Sequence, residues 1–334
     1  MKAAILNKYD KKGTDLEIKD ISIPEIGEND VLVKIKYAGV NPLDNMIIRE
    51  EVKLITPYKV PLVMGNEFSG VVENVGSNVS EFSEGDRVYA RMPLDKIGAF
   101  AEFTSIDKNA LAKIPEFLDF QQAACVPLTA LTALQSFDLM NVKKGEKIFI
   151  SGGTGSLGAM AIPIAKSLGL HVITSGSARN EERVKKLGVD KFFDYKTQDY
   201  ATSLSDVDLV LDTIGESELE KEFSILKEGG VLVSLKGLPN AEFADRMKLG
   251  AVKKMLFKVA GMKFDKMAKK KNQKYYFMFV ESNGRQLAKI EDIFTNVSLE
   301  TSIDEIYDLK DVNKALQKVS SGGSKGKTLI KISE

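Results

Sequence analysis

A chain of 334 residues with 43% hydrophobic and 28% charged side chains is long enough for about two domains and too apolar to be disordered. Lys plus Arg and Asp plus Glu each number 47, so no net charge draws the chain to nucleic acid or to an anionic membrane. A single cysteine, Cys125, and a single histidine, His171, exclude a disulfide framework, a structural zinc site and the usual three ligands of a catalytic zinc.

The opening "MKAAILNKYDKKG" carries too short an apolar run for a secretory leader, and no stretch approaches the roughly 18 apolar residues of a membrane helix. The cytoplasm is the expected compartment, with no membrane association. The first third reads as β-rich. "VLVKIKYAGV" (31–40) alternates apolar and polar residues, "FSGVVENVGS" does so in part, and "SEGDRV" marks a turn. In "MGNEFSGVVENVG" (64–76), Glu67 lies among three glycines beside Asn66, a pattern that fits a strand corner.

From about Gln122 the period becomes helical in "QQAACVPLTALTALQSFDLM". Strand-like runs then alternate with helical ones: "KIFIS", "LGAMAIPIAKSLG", "HVITS", "ARNEERVKKLG", "VDLVLDTIG", "SELEKEFSILKEGG" and "VLVSLKG". That alternation predicts right-handed βαβ units around a parallel sheet. His171, at the head of an apolar run, is expected to be structural. The tail returns to strand, helix ("DVNKALQKVSSG") and strand ("GKTLIKI").

Residues 247–274 hold ten lysines and one aspartate, interleaved with Met255, Leu256, Phe257, Val259, Met262, Phe264 and Met267. The pattern predicts an amphipathic surface helix that packs its apolar face on the domain and leaves its lysines in water. The competing readings are a lipid surface or an acidic partner.

The most specific chemical signal is "EKIFISGGTGSLGAMAIPIAKSLG". Gly153, Gly155 and Gly158 form G-x-G-x-x-G between a predicted strand and a predicted helix. Such glycines permit a tight turn, close approach of a pyrophosphate and close helix–strand packing, and the helix N-terminus favours negative charge. The end of the next strand reads Thr174, Ser175, Gly176, Ser177, with no acid before Glu181. An NAD-selective site usually places an acid there, whereas small hydroxyls with Arg179 suit a 2′-phosphate. NADPH is the expected cofactor.

With that site in place the whole chain resembles the zinc-free quinone oxidoreductase (zeta-crystallin-like) branch of the medium-chain dehydrogenase/reductases. The resemblance rests on "AGVNPLD" (38–44), "GNEFSGVVENVG" (65–76), "GDRV" (85–88), "VPLTALTALQ" (126–135), "GGTGSLG" (152–158), "DTIG" (212–215), "EGGVLVSLKG" (228–237) and "GKTLIKI" (326–332). It implies an α/β chain with a GroES-like β-rich catalytic domain over 1–121 and 283–334 and a Rossmann doubly wound parallel-sheet domain over 122–282. The cofactor would lie in the cleft between them.

Carried over residue by residue, Gly152, Gly153, Thr154, Gly155, Ser156, Leu157 and Gly158 would form the pyrophosphate loop. Ser175, Ser177 and Arg179 would meet the 2′-phosphate, and Tyr195 the adenosine. Asn41, Thr129, Leu235, Lys236 and Gly237 would lie on the nicotinamide side, and Gly215 would also contact the cofactor. The strand "YYFMFV" (275–280) would flank it and extend a homodimer sheet. From the residues alone, Asn41 before Pro42 is equally a turn initiator, and Thr129 on an apolar helix a packing residue.

The zinc-ligand positions of relatives correspond to Asn41, Asn66 and about Leu128, and the four-cysteine lobe is missing. The resemblance therefore implies hydride transfer to a small-molecule electron acceptor, either a quinone or the β-carbon of an α,β-unsaturated carbonyl. Simple alcohols and ketones would want a Lewis acid. Glu67 sits where zinc relatives keep an acid near the metal and is not expected to be a catalytic base. Substrate-side proton donors by family position are Asp44 and Tyr89, with water as the other source; Met46 stands where some members carry a tyrosine. The alternatives are an enoyl-thioester reductase of the same fold and a non-catalytic NADPH- or partner-binding protein using the 247–274 segment.

Overall fold

The computed structural model describes residues 1–295, 301–322 and 325–333. The chain divides into two units, each with its own sheet and core. One comprises Met1–Leu131, Glu281–Thr295 and the stretch from Thr301 onward; the other centres on Thr132–Val280.

The first unit is built on a seven-stranded sheet. Its path runs Ile303–Asp308, Lys327–Lys331, Asp30–Val40, Glu67–Val75, Arg87–Arg91 and Leu111–Lys113, with Phe103–Asp107 also paired to Asp30–Val40. A smaller sheet joins Glu17–Asp20, Lys2–Leu6 and Leu62–Val63. In Asp30–Val40 the predicted alternation holds as far as Ile35, with Val31, Val33 and Ile35 inward. A register shift between Ile35 and Tyr37 then re-aims the strand, and Ala38, Gly39 and Val40 are buried in succession. That run opposes Glu67 and Phe68 on the neighbouring strand, which is where polar groups gather in the interior.

The second unit has six strands, all pairing parallel, in the spatial order Lys191–Asp194, His171–Gly176, Lys147–Ile150, Val207–Asp212, Leu226–Ser234, Lys274–Phe277. Numbered along the chain this is 3-2-1-4-5-6, the doubly wound dinucleotide-binding order, whose topological switch falls at the first strand. Phe149, Phe193, Tyr200, Phe223, Phe264 and Tyr275 fill its core. Among the described residues no helix is long and apolar enough to cross a membrane.

Several sequence expectations need correction. The single helix read over "QQAACVPLTALTALQSFDLM" is two, Phe120–Ala123 and Pro127–Met140, because Pro127 disfavours helical geometry in the residue before it. His171 opens its strand but is half-exposed and lies 3.5 Å from Asp190, so it is a surface group. The basic segment forms two helices, Ala251–Ala260 and Met262–Lys269, broken at Gly261. A Cβ at Gly261 would press on Asn240 and Pro239. Its apolar face is only partly packed: Phe257, Phe264 and Ala268 are buried, while Val252, Met255, Leu256, Val259 and Met262 face solvent.

Candidate functional site

In the second unit the glycine loop joins strand Lys147–Ile150 to helix Ser156–Ser167. Each glycine has its own reason. Gly152 adopts φ +64°, a left-handed conformation. A Cβ on Gly153 would collide with Thr174 Oγ1, and one on Gly158 with the backbone of Gly153. Gly155 is different: the nearest atom to a Cβ there is Gly152 O at 3.7 Å, so its bareness leaves open space. Gly155 also caps the helix without any side-chain hydrogen bond, leaving the N–H groups of Ser156, Leu157 and Gly158 for an anion.

The loop is tied down from the second strand. Gly153 N donates to Ser175 O at 3.1 Å and Gly152 N to Ser175 Oγ at 3.4 Å. Arg183, on helix Glu181–Lys186, donates from Nη2 to Thr154 O at 2.5 Å. Beside the loop lies a cavity of about 440 Å³ lined by Ser151, Gly152, Thr154, Ser175, Gly176, Tyr195, Tyr200, Ile214 and Lys221, among others. Tyr195 is 62% exposed at the rim of that cavity. Ser177 is half-buried and Arg179 exposed on the short turn Ala178–Asn180 that follows the strand. No carboxylate occupies the strand end itself.

Asp212 organises the next two loops. Its Oδ1 accepts from Ile214 N at 2.7 Å and Gly215 N at 2.8 Å, and Ser234 Oγ donates to its Oδ2 at 2.5 Å. Ser234 Oγ in turn accepts from Gly237 N at 2.7 Å and Lys236 N at 3.3 Å, while Leu235 N donates to Asp212 O at 3.0 Å. One buried carboxylate thus fixes both the Gly215 turn and the Leu235–Gly237 backbone. These features make the unit fit a dinucleotide: a bare loop, an uncapped helix end and an adjoining cavity.

The first unit holds a closed polar network. Glu67, wholly buried, forms an ion pair through Oε1 with Lys327, itself 5% exposed. Asn41 Nδ2 donates to the same Oε1 at 2.8 Å, and Leu128 N to Oε2 at 2.8 Å. Lys327 also donates to Asn41 Oδ1 at 2.6 Å. Gly39 stands opposite Glu67 in the ladder, and a Cβ there would strike the carboxylate. Buried charges of this kind persist only when paired and hydrogen-bonded.

Asp44 extends the network. Its Oδ2 accepts from Asn41 N and its Oδ1 from Asn66 Nδ2, both at 2.7 Å. Complete burial pushes its carboxyl up to about 7, against those hydrogen bonds and with help from Glu67. Asn66 Oδ1 is buried without a partner among the described residues. Arg91, opposite Glu67 on the next strand, is fully buried; Nη1 donates to Met92 O while Nε and Nη2 have no partner among the described residues. Burial lowers its guanidinium to about 10 despite Tyr58, Glu67, Asp44 and Glu281 nearby.

The substrate-side expectations fare unevenly. Asn41, Asp44 and Glu67 are brought together. Tyr89 is not with them: it is fully buried, its hydroxyl donates to Leu287 O at 3.2 Å, and burial raises its pKa far above the usual range. Asp44 is likewise fully buried, held between Asn41 and Asn66. Thr129 Oγ1 donates back along its helix to Cys125 O and Val126 O, both at 3.1 Å, a packing arrangement. Cys125 is buried, with Sγ donating to Gln121 O at 3.3 Å, and burial pushes its thiol up to about 12.

Lys327, Arg91 and Arg183, which the structure places in the interior network and against the glycine loop, are residues that sequence reasoning misses. The first two are cations in strands where a charged residue reads as solvent-facing, and their one signal is a buried acid that needs a base. Among the described residues no group of three or more His, Cys, Asp or Glu is placed to hold a metal ion.

Comparison with known proteins finds two family matches along the chain. Residues 27–116 match the alcohol dehydrogenase GroES-like domain, and residues 187–330 match the family described as zinc-binding dehydrogenase. The human mitochondrial NAD(P)H oxidoreductase RTN4IP1 is 31% identical, over 99% of this chain and 89% of its own length. A chloroplastic NADPH-dependent alkenal/one oxidoreductase of Arabidopsis thaliana is 34% identical over 71% of this chain and 63% of its own. The quinone oxidoreductase of Coxiella burnetii superposes with a TM-score of 0.83 at 27% identity, covering 100% of this chain and 99% of the other. The chain therefore belongs to the medium-chain dehydrogenase/reductase family, among its NAD(P)H-dependent quinone and alkenal oxidoreductases.

Proposed function

We propose that the chain is an NADPH-dependent reductase that delivers hydride to a quinone or to the β-carbon of an α,β-unsaturated carbonyl, without zinc. The observation that carries the reading is the loop at Gly152–Gly158, open at Gly155 and followed by a strand end bearing Ser175 where an acid would select NAD. NADPH, when bound, supplies the hydride. The loop and the N-terminus of helix Ser156–Ser167 would hold its pyrophosphate. Ser175, Ser177 and Arg179 would take the 2′-phosphate, Tyr195 the adenosine side, and Gly215 with Leu235–Gly237 the nicotinamide side.

On the acceptor side, the Glu67–Lys327 pair fixes Asn41, and Asp44 fixes Asn66, so this wall is rigid before a substrate arrives. Positioning two reactants in this way can contribute about 7–11 kcal/mol. A conjugated acceptor spreads the incoming charge over an enolate or ring and needs less electrophilic help than a simple ketone. Water supplies the proton, since Tyr89 and Asp44 are both sealed. The reading includes a homodimer in the cytoplasm, with Lys274–Phe277, the edge strand of its sheet, available to a second copy.

The test is NADPH oxidation across quinones, 2-alkenals, enones, enoyl-CoA thioesters and simple ketones, with and without a chelator. Turnover of conjugated acceptors that survives chelation is expected. Failure to bind NADPH, or activity abolished by the chelator, overturns the proposal.

A further inference from the structure

Among the described residues, thirteen large hydrophobic side chains are exposed, and five of them fall within eleven consecutive positions: Val252 (76%), Met255 (62%), Leu256 (50%), Val259 (61%) and Met262 (42%). Singly exposed apolar residues are ordinary, but a contiguous stripe marks an interaction surface. On helix Ala251–Ala260, positions 252, 255, 256 and 259 share one face at helical spacing. Phe257 points the other way, is buried, and sits with its ring 5.9 Å from that of Phe243. On the next helix Phe264 anchors in the same manner, 5.3 Å from Tyr275. The stripe is therefore presented outward on a fixed base.

Its surroundings are strongly cationic. Residues 251–271 contain eight lysines and one acid, Asp265, in a chain whose total charge is zero. Asp265 accepts from Asn240 Nδ2 at 2.7 Å and is half-buried. Lys254 pairs with Asp245 and Lys263 with Glu220, while Lys253, Lys258, Lys266 and Lys269 form no ion pair with the described residues. By helical angle Lys253 and Lys258 lie on opposite sides of the stripe. An apolar face edged by ammonium groups on both flanks is the arrangement of a helix lying in a lipid interface, with its lysines reaching the headgroups.

We infer that helices Ala251–Ala260 and Met262–Lys269 form a docking element for an anionic membrane surface, seating the Val252–Met262 stripe at the acyl boundary and the flanking lysines on lipid phosphates and carboxylates. The inference rests on this patch and is independent of the proposed reaction. It departs from the expectation of no membrane association, which rests on the net charge of the whole chain; the local charge is what a surface within a Debye length feels. A second copy is the weaker occupant. Stacking two such stripes would bring Lys253 and Lys258 of both copies together, and neither lysine is ion-paired with a carboxylate among the described residues.

The test is flotation of the full chain with vesicles of phosphatidylcholine alone and of phosphatidylcholine with phosphatidylserine, at low and high salt. Binding to the anionic vesicles, weakened by salt and absent from neutral ones, is expected. Lys253→Gln with Lys258→Gln should lower partitioning by roughly fivefold per lysine. Leu256→Asp with Val259→Asp should abolish it while NADPH binding and Tm stay unchanged, because both side chains are exposed. Three results would each overturn the inference: no partitioning onto anionic vesicles, partitioning indifferent to the stripe variant, or a stripe variant that instead breaks an oligomer in sedimentation.

Discussion

The ammonium of Lys327 meets the carboxylate of Glu67 in an ion pair shut away from solvent, with Asn41 bonded to both partners. Breaking one side of such a pair leaves the other charge stranded in the interior. Lys327→Met is expected to cost about 3–5 kcal/mol of stability, read from denaturant unfolding, and Glu67→Gln in the same chain should restore much of it. A loss below about 1 kcal/mol, the range of exposed pairs, would show that water reaches the site.

The glycines of the cofactor loop separate folding from binding. Gly158→Ala forces a Cβ into the Gly153 backbone and should lower stability by about 1–3 kcal/mol. Gly155→Ala meets open space, so Tm should hold while NADPH affinity drops about tenfold, as the methyl occupies the pyrophosphate's approach. Calorimetric binding with thermal unfolding reads both. Equal affinity for wild type and Gly155→Ala would place the pyrophosphate elsewhere.

Two arginines should divide cofactor choice from loop geometry. Arg179 is exposed and makes no hydrogen bond or ion pair with the described chain, so Arg179→Ala should weaken NADPH by about 1.5–3 kcal/mol and leave NADH alone. Arg183 holds the Thr154 carbonyl, and Arg183→Ala should weaken both nucleotides alike. Titration of each variant with both nucleotides decides, and an Arg179→Ala loss shared by NADH would remove it from the 2′-phosphate.

Asp44 gives stability a pH dependence of known sign. Its folded carboxyl titrates at about 7, above the ordinary value, so between about pH 4 and 7 the folded chain keeps a proton that the unfolded chain releases. Its contribution is fully present below pH 4 and declines as pH rises through that window, by up to roughly 4 kcal/mol. Asp44→Asn removes the titrating group. The variant should lose less stability than wild type from pH 4 to 7; parallel curves would count against the shift.

The parallel sheet and its loop are readable in the sequence because both rest on local signals. Strand–helix alternation needs only hydrophobic period, and G-x-G-x-x-G announces itself beside a strand. Strand Lys191–Asp194 escapes notice because it is four residues long, ends in an acid and has no full helix after it. The break at Gly261 is visible as a glycine amid a helical run, but only tertiary packing against Asn240 shows why it ends one helix and begins another. The interior network is the least legible. Asn41 and Asp44 are neighbours in sequence and Glu67 joins them across one strand pairing, whereas Lys327 arrives from the far end of the chain through another, Thr328 beside Val40, that no local pattern encodes. Tyr89 looks usable by position and is sealed, because its side chain is enclosed within the unit's own core.

The sole thiol also bears on how such an enzyme lasts. Quinones and enals alkylate thiolates, so a reductase handling them risks being labelled by its own acceptors. With its thiol pushed up to about 12 by burial and its sulfur enclosed, Cys125 stays in its unreactive protonated form at neutral pH. No other cysteine exists to be attacked. The packing around Cys125 thereby acts as armour, letting the chain turn over electrophiles that would inactivate a protein with an accessible sulfhydryl.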